Sequence, residues 1–146
     1  MPELTAEPLD AGSIAELAAA LGDAGLPTDD LGEPGRAFFR FRDEAGTVVA
    51  YGGMEPCGAA VLLRSIVTLP SARGRGHGRA VVDWLAARAA ADGAEELYLL
   101  TTTAAPFFAA AGFQPADRAT APAAVTASRQ FSGLCPASAA FLRRPA

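Results

Sequence analysis

An apolar, β-branched run at residues 61–69 is stopped by Pro70, and Arg73-Gly74-Arg75-Gly76-His77-Gly78-Arg79 then leads into a helical pattern. The run reads as a buried strand. Strand, glycine loop and helix start together outline an anion site. Glycine lacks the Cβ that would hold a ligand off the backbone. The first N–H groups of a helix have no intrahelical acceptor and lie at its positive end. Arg73, Arg75 and Arg79 add positive charge, and a pyrophosphate is the expected guest. Two other phosphate loops are excluded. A P-loop needs Gly-Lys followed by Ser or Thr, and the chain contains no lysine. The dinucleotide fingerprint needs Gly-x-Gly-x-x-Gly, whereas Gly74, Gly76 and Gly78 alternate. The pattern present is Arg-x-x-Gly-x-Gly, at Arg73, Gly76 and Gly78.

A chain of 146 residues fits one domain with a core of its own. With 51% apolar and 19% charged residues it is not a disordered sequence. No apolar run approaches the roughly eighteen residues of a membrane helix, and no leader opens the chain, so a cytoplasmic protein without membrane contact is expected. A net charge of −4 speaks against nucleic acid as a partner. Cys57 and Cys135 show no metal-ligand spacing, so no metal is expected, and both read as reduced packing thiols.

Residues 3–10 alternate weakly, as a first strand would. Ser13 with Glu16 reads as a capping box, and Ile14, Leu17, Ala18 and Leu21 form a helical stripe ending near Gly22 or Gly25. Residues 26–31 read as a turn or short helix, with Asp29 and Asp30 as caps. Residues 38–42 and 48–54 form a hairpin about Asp43 to Gly46, and Gly52-Gly53 announces a bulge or a close backbone approach. Pro56-Cys57-Gly58 reads as the next turn. Past the loop, Val81, Val82, Leu85 and Ala89 line one side of a helix that Asp92-Gly93 ends, with Trp84 at its margin. A strand at 97–101, caps from Thr101 to Thr103, and a helix containing Pro106, Phe107 and Phe108 lead to Gly112-Phe113. A short helix at 121–128 and a last strand at 139–142 complete the chain. The expected fold class is α/β, an α+β-like mixed sheet. An antiparallel meander is followed by a parallel crossover strand, with helices on both faces.

This order of elements, with Arg73, Gly76 and Gly78 in the loop and Gly112-Phe113 after the second helix, resembles the GNAT N-acetyltransferases over roughly residues 4–142. Finer phrases resemble the arsenic-resistance branch of that family: Gly25-Leu26-Pro27-Thr28-Asp29-Asp30-Leu31, Leu62-Leu63-Arg64-Ser65, Leu97 to Ala104, Gln130-Phe131 and Leu134 to Ala139. The resemblance implies one GNAT domain over residues 1–146. Its co-substrate is acetyl-CoA, and its acceptor is a small amine, amino-acid-like and of the arsinothricin kind. A homodimer is allowed, not required. Two other readings stay open: a sensor that binds acetyl-CoA without turnover, and a protein acetyltransferase.

The resemblance also implies a site. The strand at Ile66, Val67 and Thr68 splays from the strand ending at Thr101, and the cofactor fills the gap. Backbone groups of Gly74, Gly76, His77 and Gly78 hold the pyrophosphate, with Arg73, Arg75 and Arg79 as side-chain contacts. A backbone N–H near Val67 receives the thioester oxygen. Glu55 and Ser65 are the catalytic candidates, Glu55 as base. Arg64, Arg129 and Ser138 are candidates for binding the acceptor. Two departures stand out. Phe108 replaces the tyrosine that many members use as an acid, and Thr101 replaces an asparagine that contacts the cofactor. Phe108 is then expected to pack against the pantetheine arm.

Overall fold

The computed structural model describes residues 3–26, 28–135 and 138–146, Leu134 in its backbone alone. Pro27, Pro136 and Ala137, parts of the family phrases and of the expected 26–31 turn, lie outside the described residues. Among the described residues seven strands form one sheet: β1 (Thr5–Pro8), β2 (Ala37–Arg42), β3 (Val48–Cys57), β4 (Ala60–Thr68), β5 (Glu96–Thr101), β6 (Gln114–Pro115) and β7 (Ala140–Pro145). Their spatial order is β1-β2-β3-β4-β5-β7-β6. The first four make an antiparallel meander. β5 lies parallel to β4, joined to it through helix α2 (His77–Ala91), because a parallel pair needs a crossover. β7 returns antiparallel to β5 and carries β6. The mixed sheet is the one the sequence leads one to expect, with β1 making the meander four strands.

Helices cover both faces. α1 (Ile14–Asp23) buries Leu17 and Leu21 with Phe38, Tyr51 and Val67. The short α4 (Ala123–Thr126) buries Val125 with Leu62, Tyr98 and Phe141. On the opposite face α2 packs Val81, Val82 and Leu85 among Val61, Leu63, Leu97 and Phe113. The two faces explain the glycine pair in β3, Gly52 lying under α2 and Gly53 against Phe38 on the α1 side. A Cβ on Gly52 would stand 2.9 Å from Val81 Cγ1 and 3.0 Å from Leu85 Cδ1, and one on Gly53 would stand 2.5 Å from Phe38 Cδ1. α2 closes where expected, with Gly93 at φ 94 and the Ala94 N–H bonded to the Ala89 carbonyl.

The extra residue of the bulge is not in the glycine strand. Tyr51 lies opposite Val67 and Gly53 opposite Arg64, so β4 spends three residues where β3 spends two. Ser65, at φ 57, takes up the excess. The alternation of β4 is thereby reset: Val61, Leu63 and Ile66 face α2, whereas Leu62 and Val67 face the other side.

Two local expectations are corrected. Ser13 does not cap α1: its hydroxyl donates to Asp10 Oδ1, and Glu16 reaches across the sheet to Arg40 and to the Tyr51 hydroxyl. The turn expected at Pro56 comes later, because β3 runs on to Cys57. Its pairing with β2 has ended at Met54, so Pro56 lies on a free edge, where a missing N–H is tolerated. Among the described residues no helix is long and apolar enough to cross a membrane.

Candidate active site

β4 and β5 pair from Ala60–Glu96 to Leu62–Tyr98 and no farther. β4 nevertheless continues to Thr68 and β5 to Thr101. The strands therefore part just before the Ser65 bulge and leave backbone edges free. A cleft of about 1060 Å³ opens between them. Its walls are residues 63–68 and 99–104, with Phe107 and Phe108 from helix α3 (Ala105–Ala110). One end is the glycine loop. The other is formed by residues 24–26, 28 and 29 after α1, together with Gln130 and Cys135.

At the loop end Gly74 and Gly76 have φ 80 and 79, left-handed values that favour glycine. Gly76 precedes α2 without a side-chain cap, and the first turn of α2 holds no acidic residue. The N–H groups opening this fifteen-residue helix thus keep their donors and positive potential for a ligand. These features fit a diphosphate. Arg73 lines the cleft and donates from Nε to the Thr68 carbonyl at 3.2 Å. Arg79 lines it too, while bonded to Asp83 Oδ1 at 3.1 Å and to the Ala110 carbonyl at 3.1 Å. Arg75, a candidate in the sequence, is exposed and stands outside the cleft lining. His77 lines the cleft with 7% exposure, and its Nδ1 has no hydrogen-bond partner among the described residues.

Gly78 has a packing role beside the ligand-facing one. A Cβ there would stand 3.1 Å from Phe107 Cζ and 3.5 Å from Thr68 Oγ1, so α3 can approach α2 only over a bare residue. Phe108 belongs to the core and to the cleft wall together, edge-on to Phe107 at 5.0 Å and to Phe113 at 5.9 Å. Ile66, Val67 and Thr68 line the cleft. So does Thr101, whose hydroxyl accepts the Ala104 N–H at 3.1 Å and caps the turn into α3.

Behind the opposite end lies a buried group of charges. Asp30 is 0% exposed and Arg64 3%. Arg64 Nη1 and Nη2 each reach an Asp30 oxygen at 2.5 Å, a bidentate pair. Arg36 Nε adds a bond to Asp30 Oδ2 at 2.9 Å. Burial alone would raise the Asp30 carboxyl; the bonds and charge of Arg64, then those of Arg36, outweigh it and hold the group below its ordinary value. Asp30 is thus an ion-pair partner, not the expected helix cap. Glu55 Oε1 stands 3.4 Å from Arg64 and 3.5 Å from Arg36. It lies outside the cleft lining, and its carboxylate faces two guanidinium groups. Arg64 Nε donates to Ser65 Oγ at 3.3 Å, and both residues line the cleft. Arg64 commits four of its five N–H groups among the described residues, leaving one on Nη2.

Arg129 and Ser138 are not brought to the site. Arg129 pairs with Glu33 at the surface, and Ser138 is exposed, both outside the cleft lining. Their places are taken by Gln130 and Cys135, neighbours in the same family phrases that the sequence reading passed over, and by Thr28 and Asp29. Phe107, 40% exposed at the cleft wall, was missed as well. Burial pushes the Cys57 thiol up to about 11, helped by the Glu55 charge, and pushes the Cys135 thiol up too. Neither is a ready nucleophile.

The sequence pattern of the acetyltransferase (GNAT) domain matches residues 34–115. The chain belongs to the GNAT acetyltransferase family. The matched part of this GNAT domain includes the hairpin, both cleft strands, the glycine loop, α2 and α3. Among solved structures, the N-acetylglutamate synthase of Neisseria gonorrhoeae complexed with coenzyme A and N-acetyl-glutamate is similar at 18% identity and a TM-score of 0.78. That match covers 99% of this chain and 35% of the synthase, so the GNAT domain spans about a third of its length. A GNAT acetyltransferase of Staphylococcus aureus Mu50 is similar at 15% identity and TM-score 0.73, over 98% of this chain and 99% of that one. A Mycobacterium tuberculosis protein in complex with CoA and NLQ is similar at 17% identity and TM-score 0.74, over 97% and 99%. At these identities the likeness is one of fold. No curated protein matches the chain. The fold is that of a GNAT acetyltransferase domain.

Proposed function

We propose that residues 1–146 are a single GNAT domain that transfers an acetyl group from acetyl-CoA to the primary amine of a small, amino-acid-like molecule. The proposed acceptor is of the arsinothricin kind, and the setting is cytoplasmic arsenic resistance, by a monomer or a homodimer. One observation carries the reading. A single cleft runs from the unpaired amides of the α2 start, past a free strand edge, to a buried arginine beside a bulge. The acceptor class is supported by the arsenic-branch phrases, by the spare Nη2 proton of Arg64, which suits an acidic group, and by the neighbour complexed with N-acetyl-glutamate.

In this reading the pyrophosphate meets the N–H groups of residues 76–79, and the pantetheine amides pair with the free edge of β4 as an added strand would. The thioester carbonyl points at a backbone N–H near Val67, which stabilises the developing oxyanion. The neutral amine attacks the carbonyl carbon, the C–N bond forms, and the C–S bond breaks. The acylated nitrogen sheds its extra proton, and that proton, directly or relayed by water, neutralises the leaving thiolate, because Phe108 has none to give. Orientation carries most of the rate. Acetyl-CoA at about 100 times Kd should stabilise the fold by about 2.7 kcal/mol. A mass-spectrometric panel of amino acids, organoarsenical amino acids, polyamines, aminoglycosides and peptides tests the acceptor. Acetylation of polyamines or peptides alone would overturn the acceptor class, and cofactor binding with no thiol released in any reaction would make the domain a sensor.

A further inference from the structure

The charged side chains among the described cleft-lining residues are Asp29, Arg64, Arg73 and Arg79, His77 aside. Three of them are accounted for. Arg64 is neutralised by Asp30, Arg79 is paired with Asp83, and Arg73 is anchored on the Thr68 carbonyl beside the glycine loop. Asp29 is exposed, is the single carboxylate among those lining residues, and has no hydrogen bond or ion pair among the described residues.

Its position follows from its neighbour. Both Asp30 oxygens are held by Arg64, and Asp29 is one Cα step of about 3.8 Å away. Asp29 is therefore fixed at the bulge end of the cleft. Thr68, where the strand gives way to the loop, pairs with Ala50 while Arg64 pairs with Gly53, three residues along β3, so it lies about 10 Å beyond Arg64. The two ends thus differ in sign: arginines flank the phosphate end, and a free carboxylate marks the other.

We propose that Asp29 is a specificity-determining residue that receives the ammonium group of the acceptor. The inference rests on the amine-transfer reading and deepens it. Aliphatic amines arrive at neutral pH as cations, and a carboxylate in a cleft whose nearest guanidinium is already neutralised attracts them. Glu55, enclosed by Arg36 and Arg64, is unable to do so. The Asp30–Arg64 clamp also holds the backbone that presents Asp29, so little ordering remains for binding to impose.

The test compares wild type with Asp29→Asn and Asp29→Glu on two acceptors: the best amine of the panel, and an O-alkyl hydroxylamine, which is uncharged at neutral pH. Asp29→Asn should raise KM for the charged amine by about tenfold, with kcat, the KM for acetyl-CoA and Tm little changed. It should leave KM for the hydroxylamine alone, and Asp29→Glu should restore most of the loss. An unchanged amine KM, or equal losses on both acceptors, would overturn the role of Asp29 while leaving the transferase reading intact. Wild-type turnover of no amine at all would overturn that reading first, and Asp29's role with it.

Discussion

Replacing Asp30 by alanine removes the acceptor of three hydrogen bonds, two of 2.5 Å from Arg64 and one of 2.9 Å from Arg36. Arg64, 3% exposed, would be left with Glu55 at 3.4 Å as its remaining charged partner. Breaking a buried pair from one side costs about 3–5 kcal/mol, because the abandoned charge stays desolvated. With an unfolding entropy of about 2.1 cal/mol/K per residue, 146 residues turn that loss into a Tm about 10–16 °C lower. Calorimetry and urea titration would read it. Asp30→Leu with Arg64→Leu removes both charges and should be less damaging than either change alone. The pH dependence has a definite sign. The folded-state pKa of Asp30 is depressed below 3.8, so its contribution is complete above that value and is lost as pH falls through the lower folded one. The stability gap between wild type and Asp30→Asn should therefore be flat above pH 3.8 and close only in stronger acid. An alanine loss under about 1 kcal/mol, or a double variant worse than the two singles combined, would refute the clamp.

Glu55→Gln should leave the kcat-pH profile unmoved, since its carboxylate faces Arg36 and Arg64 rather than the cleft; a lost acid limb, the one a required base controls, would restore it as the base. At Gly78, alanine gains about 1 kcal/mol of helix propensity but crowds Phe107 at 3.1 Å, an overpacking cost of about 1–3 kcal/mol. Gly78→Ala should be destabilising in wild type and stabilising beside Phe107→Ala, and equal effects in both backgrounds would show that the ring does not explain the glycine. Phe108→Tyr should change kcat by less than about tenfold, while Phe108→Ala should cost about 3–5 kcal/mol. A hundredfold gain in kcat from the tyrosine would mean that proton delivery limits the rate.

Much of this architecture is written locally. The strand at 61–69, Pro70, the glycine loop and the stripe of Val81, Val82 and Leu85 identify themselves through short-range pattern and backbone freedom. The hairpin and its glycine pair do the same, as does the Gly93 helix stop. What is not legible is what depends on distant partners. Asp30 and Arg64 are thirty-four positions apart, and nothing near either one announces a buried pair, so Asp30 looked like a cap and Glu55 like a free base. Glu16 looked like half of a capping box until Arg40 and Tyr51 competed for it across the sheet. Ser65 carries no glycine-like signature, yet it absorbs the residue that resets β4. Arg129 and Ser138 sit in the right phrases, but the chain presents Gln130 and Cys135 to the cleft instead.

The bare backbone at Gly52 sets the height at which α2 rides over the sheet. Val81 and Leu85 rest on it almost at contact, and Val81 is four residues, or about 6 Å, along the axis from the helix start. A methyl group at this seat would act as a shim. It would tilt the start of the helix upward relative to strands that stay pinned in the sheet. Transfer reactions lose about 10²-fold for a 1 Å misplacement. On the proposed reading of the cleft, the spacing between the diphosphate grip and the thioester is therefore gauged by an absent side chain in the core that never meets the cofactor.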